Sequence, residues 1–264
     1  MVKEAQFLLT LDHENIVNID TVFWIKKKII VFTEYIGGGE LKDYILSQKV
    51  PCSEVQTRKI ARSIMSAVFY IHSNKVVHRD LKLENILMVE KGNPYSLKII
   101  DFGISGVLNK VGKEDVINAG TMMYSPPEII SKTNLQSSPK IDVWSLGIQY
   151  FSYIGVIIYI LLTKEYPFWE ETEYDTFKSI LKNKVKFPKS IKLSKEVKHL
   201  IIRMLEKDPN NRYSIEDVLV HPWISDLFKN KVDKKFVEHI DETKDLFYND
   251  ASPRKKSKFN VFNS

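Results

Sequence analysis

The sequence predicts an α+β fold, in which a short β-containing segment precedes a larger helical body. β-branched and aromatic residues are concentrated in residues 17–24 and 29–35, a pattern typical of strands. Three glycines at 37–39 end this pattern, and later segments carry apolar residues at helical spacing. The chain has 264 residues, of which 44% are hydrophobic and 27% charged. This length suits one enzyme-sized domain, and the composition excludes collagen-like, low-complexity and wholly disordered proteins.

The first elements are short. Phe7, Leu8 and Leu11 share a helical spacing, so residues 3–11 are predicted to be the end of a helix. The two β-rich segments, 17–24 and 29–35, are separated by three lysines, which indicates a hairpin with a charged turn.

The helical body begins at Glu40. Helices are predicted at residues 40–48, 54–73, 193–206 and 214–220, and the second has Ile60, Ile64, Val68 and Ile71 on one face. The last segment, 226–264, loses this periodicity apart from a short helical stretch at 232–240, and we expect a basic, flexible tail.

Residues 143–163 contain no charged side chain, and this stretch is long enough for a membrane span. Ser145, Gln149 and Ser152 interrupt the stretch. We therefore expect a buried helix, with a membrane span as the poorer alternative.

Charge and cysteine content give weaker indications. The net charge of +6 arises from lysines in small, scattered groups, without the regularly spaced aromatic residues of a nucleic-acid-binding module, so a solvated surface is the better interpretation. Cys52 is alone, and the first residues lack the apolar run of a signal peptide. We expect an intracellular protein, in the cytoplasm or the nucleus.

The most informative motifs follow the predicted hairpin. Residues 78–85 read HRDLKLEN, and DFG follows at 101–103; SPPE lies at 125–128 and DVWSLG at 142–147. Together they resemble the protein kinase family over residues 3–224, and the wording at 32–41 and 221–224 is most similar to the calcium/calmodulin-dependent group. The resemblance implies a bilobal fold with a partial N-lobe at 1–36, a helical C-lobe at 37–224 and a tail at 225–264.

The resemblance also implies the catalytic groups. Phosphoryl transfer requires positioning and charge neutralisation more than covalent chemistry. Asp80 would accept the proton of the attacking hydroxyl, and Lys82 would hold the γ-phosphate of ATP. Asn85 and Asp101 would supply the hard oxygen ligands that Mg²⁺ prefers.

Other residues are assigned to ATP by the same resemblance. The adenine would hydrogen-bond the backbone at Glu34 and Ile36, with Leu87 packed beneath it. Glu4 stands where the family has the partner of a strand lysine.

Substrate preference is inferred from a few positions. Lys82 and Thr121 point to serine or threonine as the phosphate acceptor. Glu40 and Glu84 occupy places where related kinases bind a substrate arginine, which predicts a basic residue near the phosphorylation site. The alternative is that both are surface carboxylates without this role.

A last group would be structural or regulatory. His78 and Phe102 would stack with Leu8 and Ile19 in the regulatory spine of the family. Arg79 would bind a phosphate on the activation segment, or Glu114 or Asp115 in place of that phosphate. Glu128 would form an ion pair with Arg212. Asp142, in the DVWSLG motif, is also assigned a structural role.

The sequence departs from the family at two places. No G-x-G-x-x-G loop and no strand lysine are present, so the chain is expected to lack the first small-lobe strands and to have little activity by itself. A truncated kinase, a non-catalytic pseudokinase scaffold and a chain completed by another polypeptide all remain open. Comparison with the family's sequence at this place also predicts eight inserted residues at 148–155, as a true insertion or a retained intron.

The leading hypothesis is an ATP- and Mg²⁺-dependent serine/threonine protein kinase that acts on protein substrates, with a regulatory protein partner left open. The rival is a non-catalytic interaction module. No EF-hand loop is present in the sequence, so direct calcium binding is unsupported.

Overall fold

The computed structural model describes residues 11–25, 28–74, 76–78, 81–102, 106–107, 154–208 and 210–225. Several predictions lie outside these residues: the helix end at 3–10, the motifs at 125–128 and 142–147, the inserted residues 148–153, and the tail from 226 onward.

The predicted hairpin is present. Strands β1 (Ile19–Ile25) and β2 (Lys28–Thr33) pair antiparallel, with an irregularity in register between Ile19 and Thr21. Phe23 and Phe32 meet edge to face, with ring centroids 5.7 Å apart. The first strand begins two residues later than predicted because Val17 is engaged elsewhere: its N–H donates to the carbonyl of Ile99 at 2.9 Å.

The loop before the hairpin attaches it to the body of the protein. Asn15 is buried, and its side-chain amide donates to the carbonyl of Leu97 at 3.0 Å, as a buried polar group requires. Its backbone carbonyl accepts from the N–H of Ile99 at 2.8 Å. These bonds join the loop to the strand Leu97–Ile99.

The helices of the described residues follow the predicted order. Their bounds differ from the prediction by one or two residues at most where a helix was predicted: α1 (Leu41–Ser47), α2 (Glu54–Ser73), α3 (Ile154–Thr163), α4 (Glu173–Lys182), α5 (Lys195–Met204), α6 (Ile215–Leu219) and α7 (Pro222–Ser225).

Helix α2 is the centre of the helical body. Ser53 and Gln56 cap its N-terminus reciprocally, which satisfies two backbone N–H groups that would otherwise lack partners. The predicted stripe of Ile60, Ile64, Val68 and Ile71 is buried and packs in the common core.

All ten residues of α3 are buried, and the helix packs against α2 and α5. The expectation of a buried helix in the uncharged stretch is therefore confirmed over 154–163. Among the residues that the structure describes, no helix combines the length and apolar character needed to cross a bilayer.

Two short strand pairs lie near the sequence motifs and complete the three pairs of the described residues; one of the two carries the residues between HRDLKLEN and DFG. Strands β4 (Ile86–Met88) and β5 (Leu97–Ile99) pair antiparallel, while β3 (Val76–Val77) pairs with β6 (Gly106–Val107). The third pair is the hairpin of β1 and β2.

Candidate active site

Buried and half-buried side chains alternate along the described part of HRDLKLEN, residues 81–85. Leu81 and Leu83 are buried, and a single 3₁₀ turn at Leu83–Asn85 follows. The backbone carbonyl of Asn85 accepts from the N–H of Ile100 at 2.9 Å. This bond pairs Asn85 with Ile100, the residue directly before Asp101, although sixteen positions (101 − 85) separate Asn85 from Asp101 in the sequence.

Asn85 and Asp101 carry the side-chain oxygens that the resemblance assigns to a metal ion. Asn85 is only 5% exposed, whereas Asp101 is exposed and has a φ of 60°, an uncommon backbone conformation for a non-glycine residue. Carboxylate and amide oxygens fit Mg²⁺, which usually takes one or two carboxylates from the protein and keeps water and substrate phosphate oxygens as its other ligands. The residues present therefore fit this ion.

His78 and Phe102 are in contact, as the predicted spine requires. Their ring centroids lie 4.7 Å apart, and both side chains are buried. Nε2 of His78 lies 3.1 Å from the carbonyl of Ile100, which can only accept, so this nitrogen carries the proton. Ile19 is half-buried in β1, and Leu8 lies outside the described residues.

Glu34 has a structural role that the sequence did not reveal. Its Oε1 accepts from Lys98 Nζ at 2.5 Å and from the N–H of Asn18 at 2.7 Å. Partial burial acts to raise the pKa of Glu34, but these two hydrogen bonds outweigh it, and the pKa lies below its usual value. The side chain thus fixes the end of β2, while the predicted contact with adenine concerns the backbone.

The segment after Glu34 is held against strand β4. The N–H of Gly38 donates to the carbonyl of Met88 at 3.0 Å, and the N–H of Met88 donates to the carbonyl of Gly39 at 2.9 Å. Glu40 and Leu87 form the next antiparallel bridge. Leu87 therefore lies in the strand beside this segment, where it can contact a group bound at Ile36 and Glu34.

The two predicted substrate carboxylates lie close to the same elements. Glu40 directly precedes α1 and makes no side-chain cap hydrogen bond. Glu84, in the 3₁₀ turn, forms an ion pair with Lys42 of α1, with Nζ 3.2 Å from Oε1. Burial raises the pKa of Glu84 despite the favourable effects of its own backbone N–H, Lys42 and Lys82.

Lys82 and Arg212 are the remaining described site residues. Lys82 is half-buried in extended backbone before the 3₁₀ turn. Arg212 is 1% exposed, and its guanidinium donates to the carbonyls of Glu206 and Lys207 at 2.8 and 3.2 Å. These bonds fix the Arg212 guanidinium, and its predicted ion pair stays a prediction because Glu128 lies outside the described residues.

Six predicted site residues lie outside the described residues: Glu4, Arg79, Asp80, Thr121, Glu128 and Asp142. Conversely, sequence reasoning missed Lys42 and Lys98, which contact predicted site carboxylates. Lys98 had a weak signal because it alternates with the buried Leu97 and Ile99. Lys42 had none.

Comparison with known proteins covers most of the chain. The family model described as "Protein kinase domain" matches residues 1–224. A probable serine/threonine-protein kinase, MARK-B of Dictyostelium discoideum, is 32% identical over 245 residues, which cover 91% of this chain and 32% of the relative. Carbon catabolite-derepressing protein kinase of Secale cereale is 38% identical over 231 residues, covering 88% of this chain and 42% of the relative.

A calcium-dependent relative is similar to the same extent. Calcium-dependent protein kinase 7 of Oryza sativa subsp. japonica is 38% identical over 225 residues, which cover 84% of this chain and 39% of the relative. The chain thus spans between 32% and 42% of the length of these three relatives.

Proposed function

The chain belongs to the protein kinase family, and from this premise we propose that it transfers the γ-phosphate of ATP to serine or threonine hydroxyls of protein substrates. The observation that supports the proposal is the hydrogen bond from the Ile100 N–H to the Asn85 carbonyl, which links the backbone of HRDLKLEN to the residue directly before DFG. This backbone link supports the proposal that side chains of the two motifs hold one metal ion.

When bound, ATP supplies the phosphoryl group and Mg²⁺ neutralises phosphate charge. Asn85 and Asp101 would hold the metal ion, and the Lys82 ammonium would orient the γ-phosphate. Asp80 would accept the proton that leaves the attacking hydroxyl. The backbone at Glu34 and Ile36 would bind the adenine, with Leu87 excluding water from its face.

A basic residue near the phosphorylation site is part of this proposal. Both carboxylate oxygens of Glu84 are buried, and neither accepts a hydrogen bond of normal geometry from the residues that the structure describes. A buried carboxylate in this condition favours a further cationic donor. A substrate arginine would supply two N–H groups in one plane.

The test compares Asp80→Asn and Asp101→Asn with the unchanged protein and with Asp43→Asn, a matched control on the exposed side of α1. Without a G-x-G-x-x-G loop and a strand lysine, we expect slow Mg-ATP-dependent phosphorylation of a serine peptide, reduced by a further factor of about 10²–10³ in both site variants and unchanged in the control. Asp80→Asn should keep the thermal shift caused by Mg-ATP, because Asp80 is assigned to the hydroxyl rather than to the nucleotide.

Two results would contradict the proposal. Mg-ATP binding without transfer, unaffected by either substitution, would identify a non-catalytic nucleotide-binding module. Absence of both binding and transfer would favour the interaction module instead.

A further inference from the structure

Lys42 already occupies the carboxylate that is proposed to receive a substrate arginine. It follows the buried Leu41 in α1, and its Nζ lies 3.2 Å from Oε1 of Glu84. The two side chains are 18% and 16% exposed, so water screens this pair less than it screens an ion pair on an open surface.

The carboxylate of Glu84 remains incompletely satisfied by this contact. Neither oxygen meets hydrogen-bond geometry with a described group, and burial holds its pKa above the usual value even beside Lys42 and Lys82. An ammonium acts as a compact point charge, whereas a guanidinium can donate two parallel N–H groups to one carboxylate. The site therefore has a resident cation and the capacity to bind a better one.

We propose that Lys42 is a specificity-determining residue, which competes with the basic residue of a substrate for Glu84. The inference rests on the proposed function, because it takes Glu84 to face the protein substrate.

Binding of a substrate arginine at Glu84 requires an unfavourable displacement of Lys42. A substrate guanidinium at Glu84 would place two cations beside one carboxylate in a partly buried site, where like charges repel. Lys42 must then move outward before the arginine can bind with both N–H groups. The presence of Lys42 therefore weakens the preference for basic substrates without affecting substrates that carry no charge at this position.

The experiment measures peptide binding without ATP, so that it does not depend on catalysis. Two fluorescein-labelled serine peptides are titrated by anisotropy, one with a single upstream arginine and one with alanine in its place. Lys42→Met keeps the hydrocarbon stem and removes the charge, and Lys42→Gln provides a second, polar variant. Lys49→Met, at an exposed position beyond the end of α1, is the matched control.

We expect both Lys42 variants to bind the arginine peptide about tenfold more tightly and the alanine peptide unchanged. Lys49→Met should alter neither affinity. Adding Glu84→Gln to Lys42→Met should abolish the gain, because the carboxylate is then absent. Thermal unfolding of each variant verifies that it is folded.

An equal change for both peptides, no change, or a gain that persists with Glu84→Gln would overturn the role of Lys42. If the enzyme assay shows phosphorylation but the peptide titrations give one of these three outcomes, the kinase function stands and the inference about Lys42 fails. If the arginine peptide gains affinity as expected but no phosphate is transferred, the competition stands and the catalytic proposal fails. Absence of binding to either peptide in every variant overturns the competition.

Discussion

The glycines at 37–39 meet different requirements although they are adjacent. A Cβ on Gly38 would lie 2.2 Å from the backbone carbonyl oxygen of Met88, which no side-chain movement can relieve. Gly39 has a φ of +86°, but a Cβ there would meet nothing within 4 Å. Gly38 is therefore required by contact with β4, and Gly39 by backbone conformation.

Alanine substitutions separate these two requirements. We expect Gly38→Ala to lower the free energy of unfolding by about 3 kcal/mol, because the pairing with Met88 must open to admit the methyl group. Gly39→Ala should lower it by about 1 kcal/mol, the usual cost of a left-handed alanine. Urea unfolding of both variants provides the measurement, and equal losses would contradict the assignment of steric contact to Gly38.

At the residue scale, motifs were the signal from which site residues could be assigned. Asn85, Asp101, His78 and Phe102 were assigned in this way. The structure pairs Asn85 with the residue before Asp101 and brings the rings of His78 and Phe102 into contact. Lys42 could not be found in this way because its partner, Glu84, lies in a different element, and no local pattern encodes the distance between their side chains.

At the scale of elements, one carboxylate joins three helix ends. Glu54, the first residue of α2, accepts from the N–H and hydroxyl of Ser194 at 2.7 and 2.8 Å, and from the indole N–H of Trp223 at 2.8 Å. Ser194 caps α5, and Trp223 lies in α7. Partial burial acts to raise the pKa of Glu54, but these hydrogen bonds outweigh it and lower the pKa below its usual value.

Glu54→Gln tests this junction. We expect a loss of about 1–3 kcal/mol in the free energy of unfolding at neutral pH, since an amide replaces a charged acceptor and turns an N–H group toward other donors. The stabilisation from Glu54 is present above its unfolded pKa of 4.5 and is lost as the pH falls through the lower folded value.

The difference between Glu54→Gln and the unchanged protein should therefore shrink in acid. Denaturant unfolding at a series of pH values measures it, with Glu171→Gln at an exposed position as the control. A loss that is independent of pH would mean that the charge of Glu54 does not contribute.

The sequence predicted long elements better than short ones. Helix α2 was predicted with its observed bounds because Ile60, Ile64, Val68 and Ile71 recur at helical spacing along it. Strands of two or three residues, such as β3 and β4, contain too few positions to show a period, and they depend on partners far along the chain. The hydrogen bonds of Asn15 with β5 have the same long-range origin.

At the scale of the whole molecule, two histidines are held neutral in separate regions. Nδ1 of His13 accepts from the N–H of Asn15 at 3.0 Å, and Nδ1 of His221 accepts from the N–H of Trp223 at 3.2 Å. Burial lowers both pKa values, with a further lowering by Lys98 at His13 and by His199 at His221, while nearby carboxylates oppose the shift. Protonation of either ring at Nδ1 would place a hydrogen against an N–H donor.

Stability should therefore depend on pH near neutrality. The folded protein binds fewer protons at these histidines than the unfolded chain does. Their contribution to stability is therefore complete above pH 6.5, the unfolded pKa, and is lost as the pH falls through the lowered folded pKa values. Tm measured from about pH 5 to 7.5 should rise with pH. His221→Asn, which keeps an acceptor for the Trp223 N–H, should reduce this slope, and an unchanged slope would contradict the role of His221.

Strand β5 has a mechanical consequence. Ile99 exchanges backbone hydrogen bonds with residues 15 and 17 on the hairpin side, and the next residue, Ile100, donates to Asn85 on the catalytic side. A rotation of the hairpin relative to the helical body that keeps these bonds must have its axis near Ile99. Displacement grows with distance from an axis, so Asp101 would move little while the outer end of the hairpin, near Ile25 and Lys28, would sweep the widest arc.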